Sequence, residues 1–323
     1  MSKEKQAACR QADCQEKFKT MIGGQALIEG IMMRGPKKQA IVVRSKDGLV
    51  TKVEDIKLTK DRCKAFGWPL IRGVVNFLGS MVEGVKALMY SAEFFPEDED
   101  TEPSKFDQWI EKHFGTAGLE KFVIYSSVVI GIAFSIGLFI IVPTLISGLF
   151  NGLIESHIVR NLIEGVIRIA IFLGYLIGVS QLKDMKRVFA YHGAEHKTIR
   201  CYEAKLPLTV ENVRPQTRLH PRCGTSFLFI VVILSILFFG LIPAPNMILR
   251  IVFRLALLPV VVAVSYEITR FVGRHNNWFT RILTWPGMWL QNFTTQEPDD
   301  SMIEVGIEAV KLVLPENEGE DKW

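Results

Sequence analysis

A short segment near the middle of the chain combines two histidines and a glutamate in a spacing that suits metal chemistry. His192 and His196 are four residues apart, and Glu195 stands beside the second of them. On a helix these histidines share a face, and their H-x-x-E-H order is that of the inverted zinc-protease motif. Neutral imidazoles bind zinc, and a neighbouring glutamate can act as a general base on water that the metal acidifies. The segment therefore predicts a divalent transition-metal site, zinc above other metals, with Glu195 as the candidate catalytic residue.

A metal held by two histidines needs at least one further protein ligand. His220 and Cys223, just ahead of an apolar segment, offer an imidazole and a thiolate. Glu203 and His275 are further candidates, because they also fall near the expected ends of apolar segments. The competing interpretation is that these histidines only form hydrogen bonds to backbone groups or to lipid phosphate, since a short motif match can be coincidental.

Other charged residues lie inside apolar segments, where an unpaired charge is costly. Glu164 and Arg168 are one helical turn apart, and the same spacing separates Arg250 from Arg254. We expect the two helices to pack with Glu164 facing one of the other helix's arginines, which leaves an excess of positive charge. The arginines then either reach the outer headgroups or line a polar cavity that accepts an anionic group such as lipid phosphate. Glu267, at the opposite end of the last apolar segment, is expected to approach the histidine cluster.

The elements that must position these residues are apolar segments of membrane-spanning length, for which a helix needs about 20 residues. The mean hydropathy of the chain is positive, which is unusual for a soluble protein. The clearest segment contains no charged residue, and Pro143 within it predicts a kink or an early end. The predicted spans are residues 122–150, 162–182, 226–242 and 247–266.

The distribution of basic residues orients these spans. Residues 183–225, between the second and third spans, are rich in Lys and Arg, whereas residues 151–161 and 243–246 hold few basic residues. Short basic segments stay in the cytoplasm, so we expect residues 183–225 and both termini on the cytoplasmic side of the inner membrane. All five cysteines fall in segments assigned to that reducing side, and no disulfide framework is expected.

The rest of the chain predicts smaller elements around the membrane bundle. Residues 67–95 carry polar residues at helical spacing, which predicts an amphipathic helix that lies at the membrane interface or is buried against the bundle. Residues 21–66 alternate short apolar runs with turn residues and predict a small cytoplasmic β element. The predicted fold is therefore mainly α, with about four transmembrane helices between residues 120 and 270. The other predicted segments are a disordered start (1–20), an acidic linker (96–115), a cytoplasmic C-terminal segment (271–314) and a tail (315–323).

Four sequence segments together resemble the bacterial YqhQ-like membrane protein family. They are GGQALIEGIMMRG, RVFAYHGAEHKTIRCYE, HPRCGTSFL and TTQEPDD, and the resemblance runs in the same order from about residue 23 to about residue 313. It implies the four-span architecture and a metal-dependent enzyme, although the family has no established reaction. The residues to which the resemblance points are Gln25, Glu29, Arg34, His192, Glu195, His196, His220, Arg222 and Cys223.

Two functional hypotheses follow. The first is a membrane-embedded, metal-dependent hydrolase that acts at the cytoplasmic face on a lipid, a peptide or another membrane-associated substrate. The second is a noncatalytic membrane factor that assists membrane-protein biogenesis or transport by contacting a translocon, other membrane proteins or the lipid bilayer. A formal net charge of +4 without a basic aromatic platform gives no support to nucleic-acid binding.

Overall fold

The computed structural model describes residues 18–56, 64–95, 116–149, 154, 156–241, 246–275, 277–317 and 319–322. Most of the predicted disordered start and the whole predicted acidic linker lie outside these residues. The chain divides into two compact units. The first unit comprises Met1–Phe95, Leu176–Val231 and Pro259–Trp323, and the second comprises Pro96–Tyr175 and Val232–Leu258.

The first unit contains a four-stranded antiparallel sheet whose strands are neighbours in chain order. The strands are β1 Gly23–Leu27, β2 Gly30–Arg34, β3 Lys38–Ser45 and β4 Gly48–Asp55. The hairpin between β3 and β4 is closed at Gly48, whose φ of 127° favours glycine. In the hairpin between β1 and β2, Glu29 adopts a φ of 48°, which few residues with a Cβ atom adopt.

Helices make up most of the rest of the described chain. A 3-10 turn at Lys64–Gly67 precedes the first helix, and a π-helical stretch at Gly137–Ile141 joins the second to the third. In chain order the helices are α1 Ile71–Ala92, α2 Thr116–Ile136, α3 Val142–Gly148, α4 His157–Gln181, α5 Lys183–Glu203, α6 Val210–Val213, α7 Gly224–Leu241, α8 Met247–Arg274, α9 Trp278–Thr294 and α10 Asp300–Val313.

Four helical segments among the described residues are long and apolar enough to cross a membrane. They are Phe122–Gly148, Ile158–Gln181, Gly224–Leu241 and Met247–Arg274. The predicted fold class, mainly α with about four spans and a small β element, is confirmed. The side of the membrane on which each terminus lies stays a prediction.

Strands β2 and β3 are buried on both faces, whereas β4 is mostly exposed. Alternate residues of a strand point to opposite sides of the sheet. Ile31, Met33 and Val42 pack with residues of α5 and α10. Met32 and Ile41 point the other way, into a cluster that includes Ala87 of α1 and is flanked by aromatic side chains. The sheet therefore lies between α1 on one face and the helix pair α5 and α10 on the other.

Helix α1 also packs against the C-terminal half of α8 within the same unit. Arg72 forms a two-point ion pair with Glu267, and Asn76 donates a hydrogen bond to the Tyr266 hydroxyl. Glu267, which was expected to approach the histidine cluster, is thus held by α1. The side of α1 that carries Leu78, Met81, Val82 and Leu88 is exposed. A position of this helix at the membrane interface remains a prediction.

Gly73 should be the glycine of α1 that tolerates a side chain least. A Cβ atom there would lie 2.9 Å from Tyr266 Cβ and 3.0 Å from the Ala263 Cα, so Gly73→Ala should lower the free energy of unfolding by about 1–3 kcal/mol. Gly79 of the same helix has open space around it, and Gly79→Ala should be neutral or stabilise by up to about 1 kcal/mol. Thermal unfolding of detergent-purified variants measures both; equal melting temperatures would contradict the packing of α1 on α8.

Candidate metal centre

Three potential metal ligands converge in the first unit. His192 and His196 project from one face of α5, and Cys223 immediately precedes α7. One ligand atom from each of the three residues lies within 4.8 Å of the other two, and His192 Nε2 is 3.1 Å from Cys223 Sγ. His196 and Cys223 are buried, whereas His192 is partly exposed.

Backbone carbonyls fix which ring nitrogen each histidine presents. His192 Nδ1 lies 2.8 Å from the Thr294 carbonyl oxygen, and His196 Nδ1 lies 2.5 Å from that of Arg218. Because a carbonyl oxygen only accepts hydrogen bonds, each ring must donate from Nδ1. In a neutral imidazole this leaves the lone pair on Nε2, which is the arrangement found in histidines that bind metals.

Glu195 contributes a carboxylate of which one oxygen has no partner. Its Oε1 accepts a hydrogen bond of 3.1 Å from the backbone N–H of Gly24 in β1. Its Oε2 is buried and has no hydrogen-bond partner among the described residues. Burial raises the pKa of Glu195 against the opposing influence of His196 and His192. An unsatisfied buried oxygen is costly, so a water, a proton or a cation beside Oε2 would stabilise the folded protein.

The thiol of Cys223 is held in its ionised form by its histidine neighbours. Burial alone would raise its pKa, but His192 and His196 outweigh burial and leave the pKa well below the usual value. Burial would likewise lower the pKa of His192, yet the charge and hydrogen bond of Cys223 raise it to about 9. Without a metal, the pair is therefore a thiolate beside an imidazolium, and the thiolate is the form that binds metals.

His220 lies beside this group, and its ring is engaged elsewhere. The ring centroids of His196 and His220 are 5.6 Å apart, while His220 Nε2 is 3.4 Å from Glu203 Oε2. Arg222 forms an ion pair with the same glutamate, whose other oxygen also accepts the backbone N–H of Thr20. Burial lowers the pKa of His220 to about 4. The structure thus places the predicted residues His220, Glu203 and Arg222 together in a neighbouring polar network.

The remaining predicted polar residues lie further from the three ligands. Glu29 binds Arg187 and Tyr191 of α5 and so ties the first hairpin to the helix that carries the histidines. The Gln25 side chain lies against Gly84 of α1. Arg34 ends β2, where it pairs with Gly23 of β1 and Gln39 of β3. His275 stacks on Phe271 at an exposed position near the end of α8.

Sequence reasoning did not single out the groups that orient the site. These are the carbonyls of Thr294 and Arg218 and the backbone N–H of Gly24. Close approach of the chain after α9 depends on Gly193, because a Cβ atom there would lie 2.1 Å from the Gln296 oxygen. The sequence did point to part of this arrangement. Gly24 and Thr294 lie in the segments GGQALIEGIMMRG and TTQEPDD, which carry the family resemblance.

A family profile described as protein of unknown function (DUF1385) matches residues 68–316. The chain therefore belongs to this family. It is also 34% identical over 300 residues to the uncharacterized protein YqhQ of Bacillus subtilis (strain 168), over 90% of this chain and 92% of that protein. No solved structure matches. The resemblance to YqhQ-like proteins is thus confirmed, and neither description names a metal or a reaction.

The ionised state of Cys223 should show in its rate of alkylation. In metal-free protein carrying Cys9→Ser, Cys14→Ser and Cys63→Ser, iodoacetamide at pH 7 should modify Cys223 at least about tenfold faster than Cys201. Burial raises the pKa of Cys201 to about 11, so this residue remains a thiol at pH 7. Mass spectrometry of the two peptides over time measures the rates, which should converge after unfolding in dodecyl sulfate. Equal rates in the folded protein would contradict the thiolate–imidazolium pair.

Proposed function

We propose that the protein binds one divalent transition metal, zinc above others, through His192, His196 and Cys223 and acts as a metal-dependent hydrolase on a membrane-associated substrate. The observation that carries the proposal is the convergence of three ligand atoms within 4.8 Å of one another, close enough to Glu195 to influence its charge. The buried Oε2 of this glutamate has no hydrogen-bond partner among the described residues. Three protein ligands leave a fourth position for water or substrate, as in catalytic rather than structural zinc sites. The donor set of two imidazoles and one thiolate fits zinc.

Each residue has a separate part in this proposal. The bound metal would supply Lewis-acid chemistry and acidify a water molecule. Glu195 would accept the proton of that water at Oε2, while its Oε1 stays fixed by the N–H of Gly24. The raised pKa of Glu195 suits a group that must take up a proton and release it again. The carbonyls of Thr294 and Arg218 would keep both imidazole rings in position throughout.

We place the site at the cytoplasmic face on the basis of charge. Basic residues are frequent between positions 183 and 225, and short basic segments are retained on the cytoplasmic side. Reduced cysteines agree with this side, because Cys201 and Cys223 are both free thiols in the described chain. The four apolar helices indicate contact with the lipid bilayer. A substrate that is a lipid or a membrane-bound peptide would reach the site from that surface.

Metal content is the first test. Protein purified in detergent without chelators should contain about one equivalent of a transition metal by plasma mass spectrometry. The variant His192→Ala with His196→Ala should lose it, and Cys223→Ser should lower it. His275→Ala removes a histidine outside the three-ligand group and should retain the wild-type content, which makes it the matched control.

His220→Gln decides whether the neighbouring network contributes a ligand. Because His220 Nε2 faces Glu203, this variant should keep its metal. Each variant is first shown to elute as a single species in size-exclusion chromatography. A wild-type protein that takes up no metal even after reconstitution would overturn the metal proposal. It would favour the second hypothesis, in which the same residues form a polar network in a noncatalytic membrane factor.

An open coordination position separates a catalytic centre from a structural one. After reconstitution with Co²⁺, azide should change the visible spectrum of the wild-type protein in a saturable manner, because a fourth position accepts a small anion. Glu195→Gln should give the same spectrum and the same azide response, since the proposal makes Glu195 a base and no ligand. A spectrum that azide leaves unchanged would show four protein ligands and a structural site. If Glu195→Gln changes the Co²⁺ spectrum in the absence of azide, Glu195 is a ligand.

A further inference from the structure

The second unit contains a buried ionic cluster that is separate from the candidate metal centre. Glu164 of α4 is 2% exposed, Arg168 of α4 is 4% exposed and Arg254 of α8 is 3% exposed. One oxygen of Glu164 lies 3.1 Å from Arg168 Nη2, and the other lies 2.8 Å from Arg254 Nη2. The expected packing of Glu164 against an arginine of the other helix is observed. Neither arginine reaches outward, as headgroup contact would require.

Arg168 has other partners around it. Pro143 has no N–H, so the carbonyl of Phe139 four residues earlier loses its usual helical donor. Arg168 Nε supplies that bond at 3.0 Å, and Arg168 Nη1 lies 3.3 Å from the Ser235 hydroxyl. A π-helical stretch, Gly137–Ile141, lies just before Pro143, where the sequence predicted a kink or an early end, and the Arg168 guanidinium donates to a carbonyl of this stretch.

Arg254 is less completely satisfied. Its Nη1 donates to the Thr144 hydroxyl and its Nη2 to Glu164, but its buried Nε has no partner among the described residues. Within the described part of the chain, one carboxylate faces two guanidinium groups, so the cluster carries one more positive than negative charge. The ring of Phe239 lies 5.0 Å from the Arg168 guanidinium and 5.6 Å from that of Arg254. A ring quadrupole attracts cations but supplies no counter-charge.

The excess charge lies well inside a span. Arg254 is seven residues beyond the start of α8 at Met247, which corresponds to about 10 Å along a helix. A charge at such a depth is costly unless it is paired or hydrated. A cavity of about 10 Å³ adjoins the cluster, enough for about one water-sized particle. Glu164, Arg168, Phe239 and Arg254 of the cluster all line this cavity.

We propose that this cavity binds one small monovalent anion, of the halide class, which neutralises the excess charge beside Arg254. The cavity is too small to enclose a whole phosphate group, the anionic group expected from the sequence, whereas a halide is only slightly larger than the water-sized particle that the space holds. A water molecule fits the space but leaves the charge uncompensated. Bound by guanidinium donors in an apolar surrounding, the anion would tie α4 to α8 within this unit.

Binding of ³⁶Cl⁻ to full-length protein in detergent, in gluconate buffer of constant ionic strength, tests the proposal. Wild-type protein should bind about one chloride per chain, displaced by bromide but not by phosphate or gluconate. Arg254→Gln should weaken binding by about tenfold or more, the equivalent of one charged hydrogen bond. Glu164→Gln should strengthen it, because the carboxylate competes with the anion for the same guanidinium groups.

Arg250→Gln is the comparison variant, one turn earlier on α8 and only partly buried, and it should weaken chloride binding clearly less than Arg254→Gln, because Arg250 lies near the cluster but does not line the cavity. The opposite effects at Arg254 and Glu164 distinguish a binding site from a general loss of stability. If Arg254→Gln does not fold, the wild-type protein and Glu164→Gln decide the matter. Absence of saturable chloride binding by folded wild-type protein overturns the proposal, and so does weaker binding in a folded Glu164→Gln variant.

Discussion

Two backbone carbonyls determine which nitrogen each histidine presents, and the candidate metal centre depends on that choice. The Thr294 carbonyl comes from the end of α9, and the Arg218 carbonyl comes from the segment between α6 and α7. Both must lie beside one face of α5 before the two Nε2 lone pairs can converge. Such proximity requires that the chain after α9 pass very close to α5, which the absence of a side chain at Gly193 allows. The orientation of the imidazoles is therefore a consequence of tertiary packing.

The small sheet contributes none of the three candidate metal ligands, but it holds the Glu195 carboxylate in position. The Gly24 N–H holds one oxygen of Glu195, and the Glu29 carboxylate in the next turn binds Arg187 and Tyr191 of α5. The first hairpin is thus attached to α5 at two points, roughly two helical turns apart along the helix. Because both faces of β2 are covered by helices, the hairpin has little freedom to move. A rigid support of this kind is what a positioned general base requires.

Local sequence patterns were enough to predict those features that depend only on residues close together in the chain. The length of the apolar segments predicted the spans, turn residues between short apolar runs predicted the β element, and the four-residue spacing placed His192 and His196 on one helical face. The third ligand could not be chosen in this way, because His220 and Cys223 precede the same helix by only a few residues. The choice depends on side-chain direction, since the ring of His220 turns to Glu203 whereas the Cys223 sulfur turns to His192.

The candidate metal centre and the buried cluster around Glu164 have the same physical requirement, which is that buried charges be compensated. At the candidate metal centre, the Cys223 thiolate is compensated in the metal-free protein by protonation of His192. A divalent ion would replace that proton and would also balance the Glu195 carboxylate, so that binding becomes an exchange of positive charges. In the buried cluster around Glu164, the described residues place one carboxylate between two guanidinium groups. The proposed anion would supply the counter-charge there, so the same requirement of neutrality on burial would favour a cation at one centre and an anion at the other.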